Sequence, residues 1–310
     1  MAERVRNAWI DWLIYLAVRT AVSLLQALPY GLALAGAEAL AAVAYRVDRR
    51  HRRVADENVR SAFPELGEIE RDRLVRRCYR HFALVVLEIA VLPRKLRATN
   101  WRTHATLENG GAILTSLLQR RPVLIVTLHF GNWELAGFAL GAFGFRTHAI
   151  ARVLDNPYLE RFLKDFRQRT GQTIIAKKDD FDRLNETMRR GGKIATLGDQ
   201  DAGSRGVFVD FFGRPASAHK AVALMALEYD AKLIVIGVPR VREGSSWHYT
   251  IGCEDEIDPR DFAGDPNPVK AITQRYHAAY ERLIRRHPEQ YFWLHRRWKT
   301  APPVRKPRAR

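Results

Sequence analysis

The sequence predicts an α/β fold, a mixed sheet layered by helices, with an apolar helical membrane anchor at its N-terminus. Two observations carry the fold class. From about residue 105 onward, strand-like apolar runs alternate with helical patterns, the order that layers helices on a sheet. Residues 8–47 are strongly apolar and stand apart from that alternation. At 310 residues the chain is long enough to bury a full core. The expected organisation is an anchoring segment over 1–48, a main domain over 49–300 and a basic tail over 301–310 that is disordered.

The elements follow in order. Trp9 to Leu28 is long enough for a membrane helix but carries Asp11, Arg19 and Gln26; Pro29 breaks it, and Gly31 to Val47 gives a second Ala/Leu-rich segment. Arg4 and Arg6 precede this stretch, and Arg46, Arg49, Arg50, Arg52 and Arg53 close it. Basic flanks on both sides do not orient a single span. A hairpin, or a helix lying in the interface, keeps both flanks on the cytoplasmic side; a buried helical pair is the alternative. The late arginine cluster and the lack of a clear cleavage site argue against a signal peptide. Residues 50–100 read as helices, broken at Phe63-Pro64-Glu65, resumed from Glu70 to Leu92 and stopped by Pro93.

Strands are expected at 123–128, 147–151, 173–176, 193–197, 207–211, 233–238 and 247–252. Helices are expected at 133–142, 157–169, 180–190, 218–229 and 268–286. The boundaries carry their own signals: Asn156-Pro157 and Asp179-Asp180 open helices, and Gly191-Gly192 end one. The Pro- and Arg-rich ending from Pro302 reads as a solvated or lipid-facing tail.

The formal net charge is +17 and the pI near 10.3, a field that favours anionic partners. Charge alone suits nucleic acid; the apolar N-terminus shifts the expectation to a membrane surface, with no nucleic-acid partner. Two cysteines, Cys78 and Cys253, are too few for a disulfide framework or a cysteine zinc site and suit a reducing compartment.

The chemistry gathers at PVLIVTLHFGNWEL, Pro122 to Leu135. On one helix, His129 and Glu134 would point about 140° apart. If instead His129 ends a strand, Gly131 permits a turn and Asn132 caps a helix starting at Trp133, Glu134 falls in the first helical turn. There a carboxylate is favoured, and it can reach back to one imidazole nitrogen. That fixes the tautomer and frees the other nitrogen as a base. No nucleophile stands beside the motif, so the expected step is direct attack by an acceptor hydroxyl rather than a covalent enzyme intermediate. A histidine that merely satisfies the turn is the plainer alternative. No metal-ligand spacing accompanies the motif, so neither metal nor cofactor is expected.

HFGNWE, then Asp199-Gln200-Asp201 with Gly203, then PEQYFWLHRRWK from Pro288 to Lys299, occur in that order. Together they resemble the lipid A biosynthesis acyltransferases, the lauroyl/myristoyl acyltransferases of Gram-negative inner membranes, within the wider glycerolipid acyltransferases that share an H-x4-D/E motif. The resemblance covers nearly the whole chain, to about Thr300. It implies transfer of a fatty acyl group from a carrier thioester to a hydroxyl of a lipid A precursor or related glycolipid. The donor is acyl carrier protein or acyl-CoA, the acceptor an anionic lipid, and the location the inner membrane with the catalytic domain facing the cytoplasm.

The resemblance places the catalytic base and its carboxylate partner at His129 and Glu134. It places substrate-binding groups at Arg152, ahead of Asp155-Asn156-Pro157, at Arg167 on the following helix, and at Asp199. Asp199 is expected to orient His129, Arg152 or the acceptor. The Gly131 and Asn132 backbone N–H groups are the oxyanion candidates. Two residues depart from the family pattern: Ala151 stands where Tyr or Phe is frequent, and Gly198 where proline is common. For Trp293 to Trp298 the favoured reading is a closing strand that packs Phe292 and Leu294 with its arginines outside. His81, His148, His219 and His248 are read as surface or core histidines. A membrane-bound thioesterase, an acyl-CoA-dependent acyltransferase acting on another lipid and a non-enzymatic basic membrane adaptor are the alternatives.

Overall fold

The computed structural model of the chain describes residues 7–97, 99–169, 171–176, 180–242 and 247–303. Arg4, Arg6, Asp179 and the tail from residue 304 lie outside the described residues. Four helices come first: α1 (Ala8–Ala27), α2 (Tyr30–Val47), α3 (Arg49–Ala62) and α4 (Glu68–Lys95). Asn7 caps α1, and Asp48 caps α3 through the His51 amide. Among the described residues, α1 is the helix long and apolar enough to cross a membrane. Pro93 does not stop α4, which runs on to Lys95. So close to the end, a proline removes one helical donor and leaves few later turns to disturb.

Strands and helices then alternate: β1 (Ala105–Glu108), α5 (Gly110–Leu118), β2 (Val123–Thr127), α6 (Trp133–Ala142), β3 (His148–Ala151), α7 (Pro157–Gln168), β4 (Thr173–Ala176), α8 (Phe181–Arg189) and β5 (Lys193–Leu197). A hairpin, β6 (Val207–Phe211) with β7 (Arg214–Ala218), precedes α9 (Ala221–Glu228), β8 (Lys232–Gly237), β9 (Arg240–Arg242), β10 (His248–Ile257) and α10 (Pro268–Arg286). α6 and α10 have the bounds expected from sequence. β1, α5, β7 and β9 are additional; none shows a long apolar run of its own.

The main sheet runs β1-β10-β8-β2-β5-β3-β4, with β9 paired to β10. β8, β2, β5, β3 and β4 are mutually parallel, and β10 reverses against β8. The fold is therefore mixed α/β with helices packed on a mixed sheet. β2 explains the unbroken apolar run. Leu124 and Val126 join one core cluster with α3, α4, α9 and α10, while Val123 and Ile125 join another with α5 and α6. A central parallel strand covered on both faces has no polar side. Cys78 and Cys253 are buried free thiols. Burial pushes the Cys78 thiol up to about 12, so it stays protonated.

Candidate active site

The turn after β2 forms as its residues dictate. Gly131 has φ +58°, and a Cβ there would lie 1.7 Å from the Val238 carbonyl oxygen; only glycine fits. Asn132 caps α6 by accepting the Leu135 amide at 3.0 Å. Beneath the turn, His81 lies 3.3 Å from the Gly131 carbonyl. Burial lowers its pKa to about 3, so the neutral ring donates through Nε2. Asn132 Nδ2 also reaches Glu88, which is fully buried and paired with Arg240 and with the Tyr249 hydroxyl.

The C-terminal block closes over this turn. The Gly131 amide donates to the Gln290 carbonyl at 3.0 Å, and the Phe292 amide to the His129 carbonyl at 2.9 Å. Gln290 in turn exchanges side-chain bonds with the Arg240 backbone, accepting at 2.7 Å and donating at 2.9 Å. The segment is thus one bridge, Phe130 to Tyr291, followed by turns, rather than the closing strand expected. Arg297 is not outside either. It is 1% exposed and donates to the Ser217 carbonyl at 2.7 Å and to His277 Nε2 at 3.1 Å. Burial and the Arg297 charge hold His277 neutral, its pKa lowered to about 3. The buried guanidinium needs these carbonyl and imidazole acceptors.

His129 meets Asp199, not Glu134. Its Nδ1 lies 2.9 Å from Asp199 Oδ1, and its amide donates to Oδ2 at 3.2 Å. The sheet register produces this pairing. β2 and β5 are adjacent and parallel with Thr127 opposite Leu197, and the Gly198 amide extends the ladder to the Thr127 carbonyl at 3.0 Å. Two residues beyond each strand end, His129 and Asp199 face each other at the carboxyl edge of the sheet, where open α/β sheets bind ligands. That ladder bond also accounts for Gly198. A proline would have no donor there, and a Cβ would stand 2.9 Å from the Tyr280 hydroxyl.

Asp199 is 3% exposed and the His129 side chain 22%. Burial disfavours the imidazolium, but the Asp199 charge and hydrogen bond outweigh it and raise the His129 pKa. Burial likewise opposes the Asp199 carboxylate, and the imidazole overrides it and lowers its pKa. With Nδ1–H donating to the carboxylate, Nε2 is left as the basic nitrogen. Trp133 and Phe292 line the ring at centroid distances of 5.1 and 6.1 Å, and Phe82 contacts both. His295 is close enough for the Asp199 and Arg297 charges to act on it.

The Glu134 carboxylate is held by Arg167 through both Nε, at 3.1 Å, and Nη2. The two side chains are 12% and 20% exposed, and the expected Glu134–imidazole bond is absent. Its charge still contributes to raising the His129 pKa, less than Asp199. Arg152 stands one residue beyond β3, at the same edge of the sheet, but its side chain is exposed and its ion pair is with Asp155 at 3.2 Å.

The oxyanion assignment is also corrected. The Gly131 amide is spent on Gln290 and the Asn132 amide on Val238, each at 3.0 Å, so neither is available to a ligand. Among the described residues, no group of three or more histidine, cysteine, aspartate or glutamate side chains is arranged to hold a metal. Gln290, Tyr291, Phe292 and His295 around His129 and its turn carry no expected role from sequence: nothing in their block indicates that it folds onto the strand 160 residues earlier.

A basic imidazole backed by a buried carboxylate, at the sheet edge beside an aromatic wall, is an arrangement that can accept and return a proton. Residues 2–300 match the family model of bacterial lipid A biosynthesis acyltransferases, and the chain belongs to that family. It is 26% identical over 297 residues to the lipid A biosynthesis lauroyltransferase of Escherichia coli (strain K12), covering 94% of this chain and 92% of that one. It is 26% identical over 259 residues to the lipid A biosynthesis palmitoleoyltransferase of the same organism, covering 82% and 80%. A phosphatidylinositol mannoside acyltransferase of Mycobacterium tuberculosis (strain ATCC 25618 / H37Rv) is 27% identical over 175 residues, 55% of this chain and 52% of that one. Among solved structures it is similar to the 1-acyl-sn-glycerophosphate (LPA) acyltransferase of Thermotoga maritima, at 12% identity and a TM-score of 0.37, covering 84% of this chain and 95% of that one. The protein is an acyltransferase.

Proposed function

We propose that the protein transfers a fatty acyl group from a carrier thioester to a hydroxyl of a lipid A precursor or closely related glycolipid, with His129 as general base. The observation that carries this reading is the His129–Asp199 pair, which leaves Nε2 as the open basic nitrogen. Nε2 takes the proton of the acceptor hydroxyl as its oxygen attacks the thioester carbonyl. The C–O bond forms, and negative charge gathers on the carbonyl oxygen. Collapse breaks the C–S bond, and the imidazolium returns the proton to the leaving thiolate. Asp199 holds the tautomer and stabilises the imidazolium.

In place of Gly131 and Asn132, the first turn of α6 supplies the oxyanion donors in this reading. The Leu135 amide is taken by Asn132, which leaves the Trp133 and Glu134 amides ahead of the first intrahelical bond, and Trp133 lies beside the imidazole. Glu134 serves as a positioning residue that holds Arg167, rather than as the relay carboxylate. Arg167, and Arg152 at the strand edge, take phosphate groups of the acceptor or of the carrier's phosphopantetheine arm. Arg152 can leave its exposed partner Asp155 at little cost, because exposed ion pairs are weak.

The donor is acyl carrier protein or acyl-CoA. The strongly basic chain suits an acidic carrier. In this reading the site works at the cytoplasmic face of the inner membrane, where acceptor lipid and soluble donor meet. The test is product analysis by mass spectrometry after incubating purified enzyme with each thioester donor, with and without a lipid A precursor. An acylated lipid formed only with acceptor present supports the reading. Thioester hydrolysis at the same rate without acceptor makes the protein a thioesterase instead.

A further inference from the structure

The residues from His129 to Asn132 carry the base and the helix start behind it, and their peptide groups are tied to separate parts of the chain. The His129 amide goes to Asp199, and the His129 carbonyl takes the Phe292 amide. The Gly131 amide goes to the Gln290 carbonyl and the Asn132 amide to the Val238 carbonyl. On the underside of the turn lie the Gly131 carbonyl and the Asn132 side-chain amide, and α4 meets both. His81 donates to the first at 3.3 Å, and Glu88 accepts from the second at 3.4 Å.

His81 and Glu88 are seven positions apart on α4. At about 100° per residue, seven steps bring them back to within roughly 20° of each other, so one face of the helix presents two polar side chains in line. They are 4% and 0% exposed, on a helix whose intervening Leu84, Val85 and Leu87 are buried and apolar. Polar groups in such a setting are costly unless bonded. The partners these two find belong to the turn or to groups that hold it.

Glu88 also carries Arg240. The guanidinium binds both carboxylate oxygens, with Nη2 at 3.0 Å from Oε2, and the Tyr249 hydroxyl donates to Oε2 as well. A buried ion pair is often no more stabilising than apolar side chains of the same volume; a bidentate one adds direction, because the fork fixes the plane of the carboxylate. Arg240 passes the hold on. Its amide and carbonyl are paired with the Gln290 side chain, and the Gln290 carbonyl takes the Gly131 amide. The ion pair therefore reaches the turn by two routes, one through Asn132 at the start of α6 and one through Gln290.

We propose, resting on His129 as base and the first turn of α6 as oxyanion donor, that His81, Glu88 and Arg240 are positioning residues for acyl transfer. They form a brace that holds the start of α6 against His129, so that the Trp133 and Glu134 amides stay aimed at the carbonyl oxygen on which charge develops. All three are buried, and they act through the turn rather than on the substrate. Their loss weakens the transition state and leaves the binding of donor and acceptor in place.

The test uses the full chain with a thioester donor and a lipid A precursor. It compares Glu88→Gln, Asn132→Ser, their double variant, His81→Leu and His81→Gln. Asn132→Ser keeps a capping oxygen but cannot donate to Glu88. Each kcat is taken per folded molecule, with the folded fraction read from a melting curve. The brace predicts kcat lower by about 10–100-fold in Glu88→Gln and in Asn132→Ser, with KM within about twofold of wild type. The acidic limb of kcat/KM should stay where it is, because the His129–Asp199 bond is untouched. The double variant should fall no further than the worse single one, since both cut the same link. His81→Gln, which keeps a donor, should recover most of what His81→Leu loses.

A kcat per folded molecule within about twofold of wild type in both Glu88→Gln and Asn132→Ser, or losses that multiply in the double variant, overturns the brace and leaves a purely structural pair. Wild type separates this outcome from failure of the parent reading. If acyl release needs no acceptor, that reading falls, and the same comparisons are made on the hydrolysis rate. Hydrogen exchange of the free protein decides the matter without turnover, and also where Glu88→Gln does not fold. In Asn132→Ser the bonded amides of residues 131, 132 and 135 should lose protection while β2 and β5 keep theirs. Unchanged protection at the turn, or a loss spread evenly over the sheet, overturns the brace.

Discussion

His129 Nδ1 and Asp199 Oδ1 stand 2.9 Å apart across two parallel strands that end at the same level. The carboxylate therefore reaches the base through the sheet, from a residue 70 positions further along the chain.

Removal of either partner should abolish most of the transfer. His129→Ala is expected to lower kcat by about 10²–10⁴-fold, the range of a positioned general base. Asp199→Asn keeps the shape but loses the charge and is expected to fall in the same range. Steady-state assay with melting curves to confirm folding decides this; near-wild-type activity in His129→Ala sinks the mechanism.

The pH dependence follows from the same pair. In the proposed mechanism His129 acts as neutral imidazole, and Asp199 raises its pKa above the ordinary 6.5. The acidic limb of kcat/KM should therefore have its midpoint above that value. In Asp199→Asn the larger raising influence is gone, Glu134 keeps the smaller one, and burial remains, so the limb should move to lower pH. The sign for stability is set by the two shifts. The contribution from protonated His129 is full below 6.5 and is lost as pH rises through its elevated pKa. The contribution from Asp199 is full above its ordinary 3.8 and is lost as pH falls through its depressed pKa. Stability attributable to the pair should peak between those values and vanish in Asp199→Asn, as read by urea titration across pH.

Glu134 and Arg167 should behave as a couple. Their paired bonds and low exposure predict an interaction of about 1–3 kcal/mol in a double-mutant stability cycle of Glu134→Gln with Arg167→Met. Glu134→Gln should reduce activity less than Asp199→Asn, by about tenfold, through the lost hold on Arg167. A fall as deep as that of Asp199→Asn, with the pH limb shifted as far, would return the relay role to Glu134.

The turn itself should tolerate little. Gly131→Ala places a methyl inside the Val238 carbonyl and requires a left-handed backbone, so unfolding free energy should drop by more than the ~1–3 kcal/mol of the backbone strain alone. Arg240→Met leaves the Glu88 carboxylate buried without its cation and should cost about 3–5 kcal/mol. Chemical denaturation measures both. An unchanged midpoint in Arg240→Met would mean that Glu88 is already protonated in the wild type, the direction in which burial pushes it.

Local sequence signals suffice where local physics decides. The Asn156 cap and Pro157 start α7, the Asn132 cap starts α6 at Trp133, and the period-3.6 pattern gives α10 its bounds. Short elements without a long apolar run, such as β1 and β9, gave no such signal. The anchor was recognised as apolar, but which face of α1 meets the protein depends on Asn156 and Phe162, more than 130 residues away.

What the chain determined by itself was the alternation of elements and the strand-turn-helix at HFGNWE, with a histidine at the strand end. The tertiary structure decided the partner. Glu134 is only five positions beyond His129, but the helix start carries the glutamate toward α7, where Arg167 takes it. Asp199 wins the imidazole because β5 pairs with β2 in register, a non-local choice made by strands packing their apolar faces into two cores. For the same reason, the Gly131 and Asn132 amides went to carbonyls of Gln290 and Val238, segments that only folding brings to the turn.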